Sequence, residues 1–129
     1  MWTVVKVPGT DDATVIIGGL LDQWQAGIDA HAPERVAALF TADAVFQGLQ
    51  PYSVGRQGVA TYYGGQPLGM TVTYRIVAAR RFGADAVLGY VAAQFGYPDR
   101  DPVHVNLGVL ATRTADGWRI GYYQASPAI

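Results

Sequence analysis

Apolar side chains recur at helical spacing through the first part of the chain. Ala13, Ile17, Leu20, Leu21, Trp24 and Ile28 fall on one stripe, and Asp11 and Asp12 stand where carboxylates favour a helix N-terminus. The pattern predicts a first amphipathic helix. Pro33 suits the opening turn of a second, shorter helix with Val36, Leu39 and Phe40 as its apolar positions. Thr41, Ala42 and Asp43 break that period, and a strand is expected over 44–49. The segment GRQGVATYYGG then reads as a loop and a third helix over 57–63, ended by Gly64, Gly65 and Pro67.

Beyond Met70 the period changes to that of strands, expected over 70–82, 84–97, 103–112 and 117–126. Turns fall at Phe82-Gly83-Ala84-Asp85, at 98–102 and at Ala115-Asp116-Gly117, which makes an antiparallel meander. These strands are long and carry apolar residues on both alternating registers, so both sheet faces are expected to be covered. Helices cover one face; a second copy of the chain, in a homodimer through the outer sheet face, covers the other.

Composition narrows the classes of function. With 129 residues, 50% of them apolar, the chain suits one domain over 1–129, its first dozen residues an extra strand or an arm. A net charge of -1 with 15% charged residues offers no basic field for nucleic acid. Without cysteine there is neither a disulfide nor a thiolate metal site, and the start MWTVVKVPGTDD lacks the features of a secretion signal. The apolar runs are strand length, well short of a membrane span. A cytoplasmic protein with no membrane partner is the expectation.

Helix, helix, strand, short helix and a meander closing on GWRIGYYQAS together resemble the nuclear transport factor 2-like superfamily. Within it, AALFTADAVF, GRQGV and DGWRI are most similar to the SnoaL-like, SgcJ/EcaC-like branch. The resemblance implies an α+β fold, a cone-shaped cystatin-like roll with N-terminal helices packed on a strongly curved antiparallel sheet. It also implies a small, mostly apolar ligand between the concave sheet face and the helices, and a dimer.

The resemblance makes one chemistry testable residue by residue. Ketosteroid isomerases use a carboxylate base with a tyrosine and a protonated aspartic acid as oxyanion hole. Matching the helices puts Trp24 at the tyrosine, Gly48 at the base and Leu110 at the acid, so all three roles are missing. The same match turns His104, Asn106, Gly108 and Leu110 inward on the third long strand. On the last strand it turns Arg119, Gly121, Tyr123 and Ala125 inward and Trp118, Ile120, Tyr122 and Gln124 outward. His104 then becomes the candidate acid-base and Asn106 the candidate oxyanion donor, competing with the reading of both as solvated strand-end residues. Trp24, Tyr62, Tyr63, Leu110 and Tyr123 are the expected pocket lining, the first tyrosine pair lying on the short helix at the cone mouth.

Other chemistries find little. Paired strand aspartates like those of limonene epoxide hydrolase are not visible, and Asp43 reads as a turn residue. His31 and His104 are far apart with no acid at ligand spacing, so no metal and no cofactor are expected. There is no nucleophile elbow and no phosphate-binding glycine loop. Two expectations follow. One is a SnoaL-like enzyme that cyclises, isomerises or opens an epoxide in an apolar polyketide- or terpenoid-like substrate. The other is a non-catalytic module that binds a small ligand or dimerises.

Overall fold

The structure is a computed structural model, and it describes residues 10–128. The elements are α1 (Thr10–Asp29), α2 (Pro33–Ala37), β1 (Phe40–Gln47), β2 (Ser53–Val54), α3 (Arg56–Gly64), β3 (Thr71–Arg81), β4 (Ala86–Tyr97), β5 (Arg100–Thr114) and β6 (Gly117–Pro127). They form helices on one open, mixed sheet of order β2-β1-β6-β5-β4-β3. The extra strand or arm expected over the first dozen residues falls largely outside the described part, and 10–12 belong to α1.

The apolar stripe of α1 is buried as its spacing requires: Ala13, Ile17, Leu21 and Trp24 have no exposed surface. This helix lies chiefly against β3 and β4. At its C-terminal end it also satisfies the sheet edge. The Asp29 carboxylate accepts from Val72 N at 3.1 Å, while Gln25 Nε2 donates to Val72 O at 2.8 Å. Since β3 is the last strand of the sheet among the described residues, these bonds pair backbone groups that an edge strand otherwise leaves open.

The first strand departs from expectation. It begins at Phe40, and Thr41, Ala42 and Asp43 are not a chain break but an irregularity within β1. Phe40 pairs with Ile120 and Val45 with Tyr122, so four residues of β1 are looped out against one of β6. Thr41 Oγ1 donates to the Asp43 carboxylate in this bulge, and Arg56 Nε holds the Phe40 carbonyl at 2.8 Å. The β1–β6 pair is parallel, whereas the meander β3 to β6 is antiparallel throughout.

The inward register of β5 is the reverse of the one the isomerase match implies. Val105, Leu107, Val109 and Ala111 are buried beneath the helices, and His104, Asn106, Gly108 and Leu110 lie on the outer face. Strand alternation forces the whole set to one side together, so a shift of one residue in the match exchanges the two faces. On β6 the expectation holds for half the strand. Tyr123 and Ala125 are buried, but so is Ile120, because Gly121 is an extra residue opposite the Leu110/Ala111 step of β5 and resets the alternation. Val77 has the same effect in β3, between the Ile76↔Val91 and Ala78↔Tyr90 pairs.

Candidate functional site

Five elements bring aromatic rings together on the inner side of the sheet. Trp24 from α1 packs edge-on against Phe95 of β4 with centroids 6.0 Å apart, and lies 6.2 Å from Tyr123 of β6. Phe46 of β1 stacks on Tyr123 at 4.8 Å and meets both Tyr62 and Tyr63 of α3 edge-on. Each such pair contributes about 0.5–1.5 kcal/mol beyond the area it buries. These rings fill the concave space in which the resemblance implies a ligand.

Their polar atoms are satisfied among themselves. Trp24 Nε1 donates to the Tyr63 hydroxyl at 3.0 Å, and the Tyr123 hydroxyl is a second partner of Tyr63. Burial raises the pKa of Tyr63 strongly, against the pull of its hydrogen bonds from Tyr123 and Trp24. Tyr123 is also pushed well up, by burial first and then by the neighbouring Tyr63. Both phenols therefore stay protonated, and the cluster is a hydrogen-bonded core with no group that takes up or releases a proton near neutral pH.

Beside this cluster lies a slot of about 20 Å³ lined by Leu49, Met70, Phe95, Tyr97, Val103 and Tyr123. That is room for about one water molecule, far below the ~300 Å³ at which ligand pockets begin. Tyr62 and Gln66 form one wall of the slot. The same two residues wall a much larger groove of about 560 Å³ on the flank of α3, between that helix and the segment joining β1 to β2. Gln50, Ser53, Gln57 and Thr61 also line the groove, and among the described residues no charged side chain does.

Tyr62 is held in its dividing position from two sides. Its ring lies over Gly48, where a Cβ would fall 2.6 Å from Cζ. The Leu49 backbone amide is close enough to its hydroxyl to act on its titration. Burial raises its pKa, with the Leu49 amide acting in the opposite direction.

The expected site residues are thus distributed over different places. Tyr62 and Tyr123 line the slot, Trp24 and Tyr63 are core residues beside it, and Leu110 lies on the outer face opposite Leu88 and Tyr122. His104 is exposed on that outer face, paired with Gln94, in a shallow hollow shared with Thr73 and Arg75. Asn106 is next along it, opposite Ala92 and Ser126. Apart from Tyr62, the groove residues were not singled out from the sequence, although Gln57 and Thr61 at i and i+4 mark a polar face of α3 that a helical wheel shows.

No known family profile matches the chain, and no curated protein matches its sequence. Solved structures do match. A domain of unknown function with a cystatin-like fold from Nostoc punctiforme superposes with a TM-score of 0.81 at 16% identity, over 93% of this chain and 80% of that one. A ketosteroid isomerase-like protein from Erwinia carotovora atroseptica gives 0.77 at 20% identity, over 89% and 95%. A candidate calcium/calmodulin-dependent protein kinase type II association domain from Thiobacillus denitrificans gives 0.74 at 21% identity, over 99% and 100%. The chain therefore has the cystatin-like, nuclear transport factor 2-like α+β roll. Among the described residues, no helix is long and apolar enough to cross a membrane.

Proposed function

We propose that the protein is a dimerising module, two copies pairing through the outer face of the sheet. One observation carries this reading. The outer face of β4, β5 and β6 has an apolar centre of Leu88, Tyr90, Ala92, Leu110 and Tyr122, with Gly108 at its middle. Leu88 and Tyr90 leave 37% and 48% of their surface exposed. An antiparallel sheet with one face in water normally shows polar residues there, and a contiguous apolar face marks an interaction site.

The edge of the patch suits a second copy. Toward one end of the strands it is made by Gln94, His104, Asn106, Gln124 and Ser126, groups without a fixed charge, and along β3 by Arg75 beside Ala92 and Arg80 beside Leu88. A twofold interface brings a surface against itself, so the apolar centre meets its own copy while the arginines at the rim stay in water. The association-domain name of the Thiobacillus neighbour agrees with assembly as the task of this fold. Sedimentation at micromolar concentration tests the reading: a species of twice 13.8 kDa is expected, and a 13.8 kDa species alone sinks it.

The second reading is the SnoaL-like small-molecule enzyme, with the ketosteroid isomerase-like neighbour and the tyrosines of the slot on its side. It draws nothing from His104 and Asn106 on the outer face, and a slot of about 20 Å³ must open before any polyketide-sized substrate enters. Chemical change of an apolar substrate, lost on Tyr123→Phe while the fold persists, is the outcome that favours it over a dimerising module.

A further inference from the structure

The groove on the flank of α3 is an open polar depression that the dimerising face does not use. Its walls carry three primary amides, Gln50, Gln57 and Gln66, and two hydroxyls, Ser53 and Thr61. Part of this capacity is already spent. Gln57 Nε2 donates to Thr61 Oγ1 at 3.3 Å and Gln66 Nε2 to the Tyr62 carbonyl at 3.3 Å. Both amide oxygens, the Gln50 amide and the Ser53 hydroxyl are left without a hydrogen bond among the described residues, facing a space of about 560 Å³. A ligand here meets donors and acceptors and no counter-charge, so an ionic group gains nothing to offset its lost hydration.

The wall between groove and slot is a single side chain with a matched seat. The Tyr62 ring rests on Gly48, edge-on to Phe46 at a centroid distance of 5.1 Å, with its hydroxyl near the Leu49 amide. If Tyr62 rotates away, it leaves a flat space over a glycine, an aromatic edge beside it and a free backbone N–H at its far end. It also joins the groove to the slot that Tyr123 lines.

We propose that Tyr62 is the gate of a binding site for an uncharged, planar aromatic molecule bearing a hydrogen-bond-accepting oxygen. The ligand ring takes the seat over Gly48, its oxygen takes the Leu49 N–H, and its polar substituent turns outward to the glutamines of the groove. Binding competes with the closed position of Tyr62, so apparent affinity is reduced by the fraction of molecules in which the gate stands open.

The experiment uses 4-hydroxybenzamide at pH 6.5 as probe, titrated into the full chain with backbone amide shifts as readout. The wild-type protein is expected to bind it weakly, with the largest shifts at Gly48, Leu49 and Gln57. Tyr62→Ala removes the gate and is expected to bind about tenfold or more tightly, a gain that comes from the closed state alone. Adding Gly48→Ala to that variant puts a Cβ into the seat and is expected to abolish binding. Position 48 does not have the left-handed backbone that would itself forbid alanine. Thermal unfolding of each variant establishes that it is folded. Should Tyr62→Ala not fold, Tyr62→Phe keeps the ring, loses the hydroxyl near the Leu49 amide, and is expected to bind about two- to fivefold more tightly. Equal affinity in wild type and gate variants, binding insensitive to Gly48→Ala, shifts confined to other surfaces, or no binding to any variant each overturns the proposal. The monomer-dimer ratio should be unchanged in all of them, which keeps this result separate from the dimer reading.

Discussion

The ring of Tyr62 lies so close over Gly48 that a Cβ on residue 48 would fall 2.6 Å from Cζ and 2.7 Å from Cε1. Gly48 is also where the isomerase match would place a catalytic carboxylate. The two observations explain each other: the position lacks a side chain because α3 supplies one to the same space. A base cannot be restored there by substitution alone. Gly48→Asp is expected to destabilise the fold by about 1–3 kcal/mol through overpacking and to yield no proton abstraction from a 3-ketosteroid. Chemical denaturation and an isomerase assay check the two halves, and gain of isomerase activity contradicts the account.

The Trp24 to Tyr63 bond joins α1 to α3 across the core. Trp24→Phe leaves the buried Tyr63 hydroxyl short of a donor and Tyr63→Phe leaves the indole N–H orphaned, each expected to cost about 2 kcal/mol or more. The double variant removes both polar atoms, so its cost should fall below the sum of the singles by about 1 kcal/mol or more. Simple additivity in urea melts would show that the bond contributes nothing.

Alkaline pH should unfold the protein in a defined direction. Tyr63 and Tyr123 have pKa values raised by burial, so the folded state keeps their protons where the unfolded chain, near pH 10, gives them up. Their contribution is complete below pH 10 and is lost as pH rises above it, by up to about 1.4 kcal/mol per pH unit for each retained proton. Unfolding free energies measured between pH 8 and pH 11 check this; a flat profile above pH 10 counts against buried, protonated phenols. Tyr63→Phe should shallow the slope.

Tyr90 stands beside Gly108 near the middle of the apolar outer face. Tyr90→Arg brings a cation into the centre of the proposed interface, where its unpaired burial costs several kcal/mol, enough to shift a micromolar dimer to monomer. Because Tyr90 is 48% exposed in the single chain, the melting temperature extrapolated to low concentration should change little. Sedimentation of the variant at the wild-type mass would reject this face as the contact.

The helices were legible before any coordinates, because the stripe from Ala13 to Ile28 states both the period and the buried side. The strands β3 to β6 were legible for the same reason, down to the Asp116-Gly117 corner, but the turn expected over 98–102 is only Pro98-Asp99, and β5 begins at Arg100. Thr41 to Asp43 misled, since polar residues in a bulge read like polar residues in a turn. The candidate catalytic pair misled through register: His104 and Asn106 do share a face, as period two requires, but it is the outer one.

What the sequence determined by itself, then, was the set of elements and which residues travel together, since periods of 3.6 and 2.0 are local properties of the backbone. Which member of each pair of strand faces turns inward was decided by the tertiary structure, because long strands apolar on both registers do not distinguish their faces and extra residues at Val77 and Gly121 reset the alternation midway. The filling of the inner face was decided there too. Gly48 and Tyr62 are 14 positions apart, and only the packing of α3 across the end of β1 puts the ring of one into the empty side-chain space of the other.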